Sequence, residues 1–195
     1  MNREKLIIIL VGFLDILWIS MILPTLPDLA KYFDVSEHQI SYWITAYALF
    51  AFLATPILWQ LSDILGRKKV LMACVIWSFL SSIVIVFSPS FIFFIIWRII
   101  NWITWWNISI LQAIINDISN SKEEKAANLW MLWAMFWTAF IFWPLVWALL
   151  LHINVMSPYI FMAFVAFIEI IVLFFLLIET NQNIVIMKFF FNPFK

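Results

Sequence analysis

Six apolar stretches, each about 20 residues long, constrain what this 195-residue chain can fold into. They cover residues 6–26, 40–61, 70–87, 91–114, 129–151 and 159–178. A helix that crosses the hydrocarbon core of a bilayer needs roughly 20 consecutive apolar residues. Because lipid offers no hydrogen-bonding partner, the backbone of such a segment must satisfy itself within the helix. The sequence therefore predicts an all-α integral membrane protein with a bundle of six transmembrane helices over residues 1–180.

The remaining composition argues against several other classes of protein. The net charge is zero, so nothing points to a nucleic-acid partner. Cys74 is the single cysteine, which excludes an internal disulfide or a cysteine-based metal site. His38 and His152 stand alone between spans, and the sequence has neither a nucleophile elbow nor a phosphate-binding loop. We expect no enzymatic activity, no metal and no cofactor.

Lysine and arginine are distributed unequally between the two ends of the predicted spans. Only Lys31 falls on one side, and Arg98 lies within a span. The other nine lie on the opposite side from Lys31: Arg3, Lys5, Arg67, Lys68, Lys69, Lys122, Lys125, Lys188 and Lys195. Cytoplasmic segments of membrane proteins carry an excess of Lys and Arg. The pattern predicts that both termini lie in the cytoplasm.

Three ionisable residues lie inside spans that do not need any: Asp15, Arg98 and Glu169. A charge at the centre of a transmembrane helix costs about 2.5–3.5 kcal/mol or more, so it normally faces a cavity or a partner. Asp15 is the strongest functional candidate, for proton coupling or for sensing a cationic substrate. A purely structural, hydrogen-bonded carboxyl is the alternative for Asp15, and snorkelling to the membrane edge is the alternative for Arg98.

The fourth span carries a periodic stripe whose members recur at helical spacing: Arg98, Trp102, Trp105, Ser109 and Gln112, flanked by Asn101. A polar face on an apolar helix points to an inner cavity and to substrate or proton contacts. Hydrogen bonds between helices are the alternative explanation.

At four or more places the chain resembles the N-terminal half of a major facilitator superfamily transporter, specifically the drug:proton antiporters of the tetracycline-efflux type. The first span resembles that group's first-helix motif at Leu17-Trp18 and Pro24-Thr25-Leu26-Pro27. Residues 59–69 resemble its loop motif between helices two and three. The fourth and fifth spans resemble its motifs at Arg98 to Trp102 and at Trp143-Pro144-Leu145-Val146-Trp147, and Glu179-Thr180 resembles the close of helix six.

The resemblance implies proton-coupled efflux of a small molecule by alternating access, from a bacterial inner membrane. It assigns proton coupling or substrate binding to Asp15, Arg98, Asn101, Ser109 and Gln112. It assigns the cytoplasmic loop motif to Trp59, Asp63, Gly66, Arg67 and Lys68, with Asp63 pairing with a helix terminus and Gly66 allowing a tight turn. It assigns the antiporter motif of the fifth helix to Trp137, Trp143, Pro144 and Trp147.

Tryptophan stands at most positions where these motifs have glycine. The chain has thirteen tryptophans and two glycines, whereas average usage predicts about 14 glycines. We infer that the source organism reads UGA as glycine and that the printed tryptophans are mostly glycines. The alternatives are an unusually Trp-rich transporter and a deliberate replacement. Literal indoles at these sites would overpack the bundle, so we expect them to be wedged at helix crossings.

The resemblance covers one half of a transporter, so we expect a missing partner. Residues 181–195 would begin the central cytoplasmic linker of a longer protein. The missing C-terminal six-helix half could lie on the same chain or on a separate one, or a second copy could take its place. A non-transporting six-span membrane protein is the functional alternative. The substrate itself cannot be deduced from these residues.

Overall fold

The computed structural model of the protein describes residues 3–105 and 107–181. These residues form seven α-helices and no strand: α1 (Arg3–Phe33), α2 (Glu37–Leu65), α3 (Arg67–Val86), α4 (Phe91–Trp105), α5 (Ile108–Ile118), α6 (Lys122–Leu151) and α7 (Ser157–Leu176). The predicted all-helical class is therefore confirmed for the described part of the chain.

Short polar segments start the helices where the sequence changes from polar to apolar. Ser36 caps α2 in a capping box with Gln39, in which each side chain bonds the other residue's backbone N–H. Ser121 caps α6 by accepting a 3.1 Å hydrogen bond from the N–H of Glu124. Each cap satisfies N–H groups that have no partner within the helix, which fixes where the helix begins.

Four stretches of the described chain are long and apolar enough to cross a membrane: Ala48–Leu65, Arg67–Val86, Lys122–Leu151 and Ser157–Leu176. Two further apolar stretches, Phe91–Ile100 and Ile108–Ile118, are shorter. The helix α1 is 31 residues long and contains Pro24 and Pro27. The count of six spans therefore stays a prediction.

The fourth predicted span contains two described helices, α4, which ends at Trp105, and α5, which begins at Ile108. Residue 106 lies outside the described residues, so the continuity of this span stays a prediction. Asn107, just before α5, donates a side-chain hydrogen bond to Asp15 on α1. The described members of the predicted polar stripe lie on both helices.

The core lies where α1 packs along α6 and α3 packs along α7. Gly12 on α1 allows the first contact, because a Cβ atom there would come within 2.9 Å of Leu132 Cδ1 on α6. Trp143 and Trp147 of α6 are buried against α1, as expected of indoles wedged at a crossing. The expectation is wrong for Trp130 and Trp137, which are 77% and 64% exposed on the outer face of α6.

Candidate functional site

Arg67 is the centre of a charged network at the end of the bundle that holds the α2–α3 turn. Its guanidinium contacts Asp63 Oδ1 at 2.5 Å and Asp117 Oδ2 at 3.1 Å. It also donates a 2.6 Å hydrogen bond to Ser62 Oγ. The Arg67 side chain is only 8% exposed, so these partners replace the water that it has lost. One side chain thus joins the end of α2 to the end of α5.

Glu179, just after α7, caps the N-terminus of α3. Its two carboxylate oxygens accept hydrogen bonds from the backbone N–H groups of Arg67 at 2.8 Å and Lys68 at 3.1 Å. These N–H groups lie in the first turn of a helix, where they lack partners and the helix dipole favours an anion. The resemblance implied that Asp63 would pair with a helix terminus, whereas in the structure Asp63 pairs with Arg67 and Glu179 is at the terminus.

Gly66 makes room for this cap. Its backbone has φ 101° and ψ 144°, a region that side-chain-bearing residues rarely adopt. A Cβ atom at Gly66 would overlap the carboxylate of Glu179. Both the turn and the close approach of the cap therefore require glycine at this position.

Further hydrogen bonds tie the last turn of α7 and the segment after it to the same end of the bundle. Lys68 Nζ donates to the carbonyl of Phe174 at 3.0 Å, and Asn181 Nδ2 donates to the carbonyl of Asp63 at 2.9 Å. Thr180 donates a 3.3 Å bond to Asp117. Trp59, the first residue of the loop motif, lies one turn earlier on α2 and is 39% exposed.

A second polar group lies inside the bundle around Asp15, which is 7% exposed. Asn107 Nδ2 donates a 3.1 Å hydrogen bond to Asp15 Oδ1. Glu169 on α7 is also buried, at 2% exposed. Two carboxyls from different helices are therefore buried inside the bundle.

Arg98 is also buried, at 1% exposed, and its guanidinium carbon lies 5.7 Å from the ring centroid of Tyr159. This is a cation–π distance, which compensates part of the lost hydration. Ser109 is buried and Gln112 is half-buried on α5. The side chain of Asn101 lies outside the described residues.

The predicted antiporter motif lies on α6, with Pro144 inside the helix. The indole N–H of Trp143 donates to the carbonyl of Phe13, and that of Trp147 donates to Ser20 Oγ, both at 3.2 Å. The two rings are stacked with centroids 6.0 Å apart. These residues join α6 to α1, whereas Trp137 points away from the core.

The sequence pattern singled out Asp15, Asp63 and Arg67 but not two residues that bind them, Asn107 and Asp117. Asn107 lies off the stripe that starts at Arg98, so periodicity gave no signal for it. Within the described part of the chain, no three His, Cys, Asp or Glu side chains are grouped so that they could hold a metal ion.

A family model described as Major Facilitator Superfamily matches residues 8–185. The chain belongs to this superfamily. Its curated relatives include the class H tetracycline resistance protein of Pasteurella multocida, 30% identical over 84% of this chain and 41% of the relative. The class B tetracycline resistance protein of Escherichia coli is 26% identical over 94% of this chain and 46% of the relative. The bacillibactin exporter of Bacillus subtilis is 38% identical over 37% of this chain and 18% of the relative.

The fold agrees with this membership. The human organic anion transporter TETRAN superposes with a TM-score of 0.79 over 91% of this chain and 48% of that structure, at 23% identity. The chain spans less than half the length of the relatives that it matches along most of its sequence. The superfamily consists of multi-pass membrane transporters rather than enzymes, and the apolar helices of this chain fit that description.

Proposed function

We propose that the chain is the N-terminal half of a proton-coupled exporter of small molecules in a bacterial inner membrane. The observation that carries this proposal is the match along most of the chain to proteins named for tetracycline resistance, together with a partial match to a bacillibactin exporter. These relatives support export of a small organic molecule, either a drug or an iron chelator. A non-transporting six-span protein is the rival that the experiment below must exclude.

In the proposed mechanism the network around Arg67 closes the cytoplasmic end of the half. Arg67 joins α2 to α5 through Asp63 and Asp117, while Glu179 joins α7 to the start of α3. Because these partners belong to different helices, opening this end requires several charge-assisted bonds to break together. The network therefore acts as a latch that holds the outward-facing state.

Proton coupling is assigned to Asp15, because it is a buried carboxyl within a predicted span and has a polar partner. Substrate contacts are assigned to Arg98, Asn101, Ser109 and Gln112. Pro144 interrupts the hydrogen-bond ladder of α6 and allows that helix to bend as the two halves rock.

The proposed partner is a second six-helix half, supplied by the same protein, by a separate chain or by a second copy. Its support is the chain's coverage of only 41–46% of the tetracycline resistance relatives. In this arrangement residues 1–180 form the N-terminal bundle, residues 181–195 begin the central linker, and both termini of the bundle are cytoplasmic.

The transport proposal is tested in inverted membrane vesicles that contain the native protein with its partner half. After an inward proton gradient is formed, tetracycline or a catecholate siderophore is added and the loss of the gradient is followed with a pH-sensitive dye. We expect substrate-dependent proton release that Asp15→Asn abolishes and that Glu123→Gln, an exposed carboxyl on α6, leaves unchanged. Release that no small molecule stimulates would favour the non-transporting alternative.

We further propose that most tryptophans of the printed sequence are glycines in the native protein. Support comes from the motif positions and from the spacing of 102/106, 133/137 and 143/147, which glycines would convert into small-xxx-small pairs for close helix packing. The test is the mass of the tryptic peptide 99–122 from native membranes, compared with the recombinant Trp-containing peptide. A mass lower by three Trp-to-Gly differences supports recoding, whereas equal masses would exclude it.

A further inference from the structure

Asn107 is a buried polar residue that belongs to none of the superfamily motifs recognised in this chain. It is 1% exposed and stands at the N-cap of α5. An asparagine at this position usually accepts a hydrogen bond from an N–H group in the first turn of its own helix, but the side chain of Asn107 makes no such bond. Its Nδ2 atom instead donates a 3.1 Å hydrogen bond to Asp15 Oδ1 on α1. The side chain thus serves another helix rather than its own.

The amide of Asn107 is dedicated to Asp15. Asn107 Oδ1 is buried without a donor, so the amide does not bridge Asp15 to a third group. On the carboxyl, Asp15 Oδ2 is likewise buried without a donor. Among the residues that the structure describes, Asn107 is therefore the one that donates a hydrogen bond to Asp15.

The packing of α1 on α5 holds the two side chains opposite each other. Gly12 lies one turn before Asp15, and Leu111 lies one turn after Asn107. A Cβ atom at Gly12 would lie 3.5 Å from Leu111 Cδ1, which is an ordinary contact distance, so these two positions also face each other. The helices therefore run antiparallel here, and an apolar contact fixes the register that brings the amide to the carboxyl.

An amide donor changes what a buried carboxyl can do. Burial in an apolar surrounding disfavours the ionised form, whereas a hydrogen bond donated to the carboxylate favours it. A carboxyl that carries protons must release a proton as well as bind one, and burial alone opposes the release. Asn107 meets Asp15 through Nδ2, which can only donate. The contact is therefore of the kind that favours release.

We propose that Asn107 is a positioning residue that orients Asp15 and enables it to release its proton inside the bundle. Its role in transport rests on the proposed function, in which Asp15 is the proton-coupling residue, but its effect on Asp15 is measurable without transport. A hydrogen bond to a charged acceptor is stronger than one to a neutral acceptor. Loss of the amide should therefore raise the proton affinity of Asp15 about tenfold, which moves the midpoint of its titration by about one pH unit.

The expected difference is independent of the other ionisable groups of the interior. Apart from Asp15 and the residues of the latch, the described ionisable side chains that are buried are Arg98 on α4, Cys74 on α3, and Tyr159 and Glu169 on α7. Arg98 lies over the ring of Tyr159, and the buried side chains of α5 and α6 carry no charge. These groups are the same in the unaltered chain and in a variant of the amide, so a comparison of the two chains reports on the amide.

The test is an infrared pH titration of the full chain in detergent, which follows the carbonyl stretch of protonated carboxyls shielded from solvent. Asp15→Asn identifies the part of the band that belongs to Asp15. Asn107→Leu keeps the approximate size of the side chain and removes the amide. In this variant we expect the Asp15 band to persist to a pH about one unit higher. The band should also lie at a higher frequency, because the carbonyl has lost its hydrogen bond.

Asn128→Leu is the matched control. Asn128 on α6 is also a buried asparagine, at 5% exposed, and its Nδ2 atom donates a 3.0 Å hydrogen bond to Ser119 Oγ at the end of α5. This variant removes an amide contact between helices without touching Asp15, so the Asp15 band should keep its midpoint and its frequency. It separates a specific effect on the carboxyl from the loss of a hydrogen bond that merely joins two helices.

Three outcomes of the titration would overturn the proposal. The first is a midpoint in Asn107→Leu that stays unchanged or moves to lower pH. The second is an equal shift in Asn128→Leu, which would indicate a general loosening of the bundle. The third is an Asp15 band that is absent or constant at every pH in the unaltered chain, because the carboxyl would then not exchange a proton.

A second measurement needs no variant at this position and so does not depend on how the variant folds. In the unaltered chain with isotope-labelled asparagine, the side-chain amide signal of Asn107 should titrate in NMR spectra with the midpoint of the Asp15 band, while that of Asn128 should not. An Asn107 signal that is independent of pH would contradict the proposal. Neither measurement requires transport, so a chain that passes both and fails the vesicle assay would keep the positioning role and lose the proposed function.

Discussion

At the scale of single residues, the carboxylate of Glu179 makes more hydrogen bonds in the network around Arg67 than any residue assigned to the loop motif except Arg67. It supplies two acceptors to the first turn of α3, one for the N–H group of Arg67 and one for that of Lys68. The cap thus couples the last segment of the bundle to its third helix. Removal of this side chain tests that coupling without altering any loop-motif residue.

Glu179→Ala should destabilise the start of α3 by about 0.5–2 kcal/mol, the usual cost of losing an N-cap. Amide hydrogen exchange of Arg67 and Lys68 reports this directly, and we expect faster exchange there than in the unaltered chain. Thr180→Ala is the matched control, since Thr180 donates its hydrogen bond to Asp117 and not to the backbone of α3. Equal exchange in both variants would show that the cap is not needed.

Gly66→Ala should cost about 1–3 kcal/mol, because the residue occupies a backbone region that is nearly restricted to glycine. The added methyl group would also displace the carboxylate of Glu179. A double-mutant cycle with Glu179→Ala, followed by thermal unfolding in detergent, separates the two effects. We expect the two losses to add up to more than the loss in the double variant; strict additivity would mean that the methyl group and the carboxylate do not meet.

The contacts around Arg67 and Asp15 were predictable only where the two partners are close in the sequence. Asp63 and Arg67 are four residues apart on a recognisable motif, so their pairing could be expected. The partners Asp117, Glu179 and Asn107 lie 50 to 112 residues from the groups that they bind. No local pattern encodes such distances, because they depend on how the helices pack.

At the scale of helices, the packing of α6 on α1 depends on which tryptophans face the core. Trp147 is fully buried and Trp143 is 9% exposed, while Trp137 on the same helix is 64% exposed. The exposed stripe of α6 includes Trp130 and Leu145 as well. The buried indoles hold the two helices at their present separation, and the exposed ones lie on a face that is free for lipid or a partner half.

In the Trp-containing chain, Trp147→Ala should lower the free energy of unfolding by about 3–5 kcal/mol, because it leaves a large cavity and removes the hydrogen bond from the indole to Ser20 Oγ. Trp137→Ala is the control and should change stability by about 0.5 kcal/mol or less. Thermal unfolding of both variants in the same detergent checks the difference. Equal effects would mean that α6 does not pack on α1 through Trp147.

Helix existence was easier to predict than the contacts between helices. Long apolar runs correctly predicted helices in each predicted span, since hydrophobic length is a strong signal. The contact from Asn107 to Asp15 joins residues that are far apart in the sequence, and a one-dimensional pattern does not contain it.

At the scale of the whole molecule, the network around Arg67 and the contact of Lys5 with Glu124 bring the charged helix ends to the same end of the bundle. Phe33, Phe91 and Phe94 contact one another at the opposite end. This division agrees with the Lys and Arg count, in which nine of eleven residues fall on one side. The count alone predicts orientation in the membrane, because basic segments stay in the cytoplasm.

Orientation can be measured with single cysteines and a membrane-impermeant maleimide. Cys74 is buried and is first replaced by serine so that it cannot react. His152→Cys, in the exposed turn between α6 and α7, should be labelled in intact cells. Glu123→Cys, in the first turn of α6 at the charged end, should be labelled only after the cells are permeabilised. The reverse pattern would place the charged end outside, and the Arg67 network could then not act as a cytoplasmic latch.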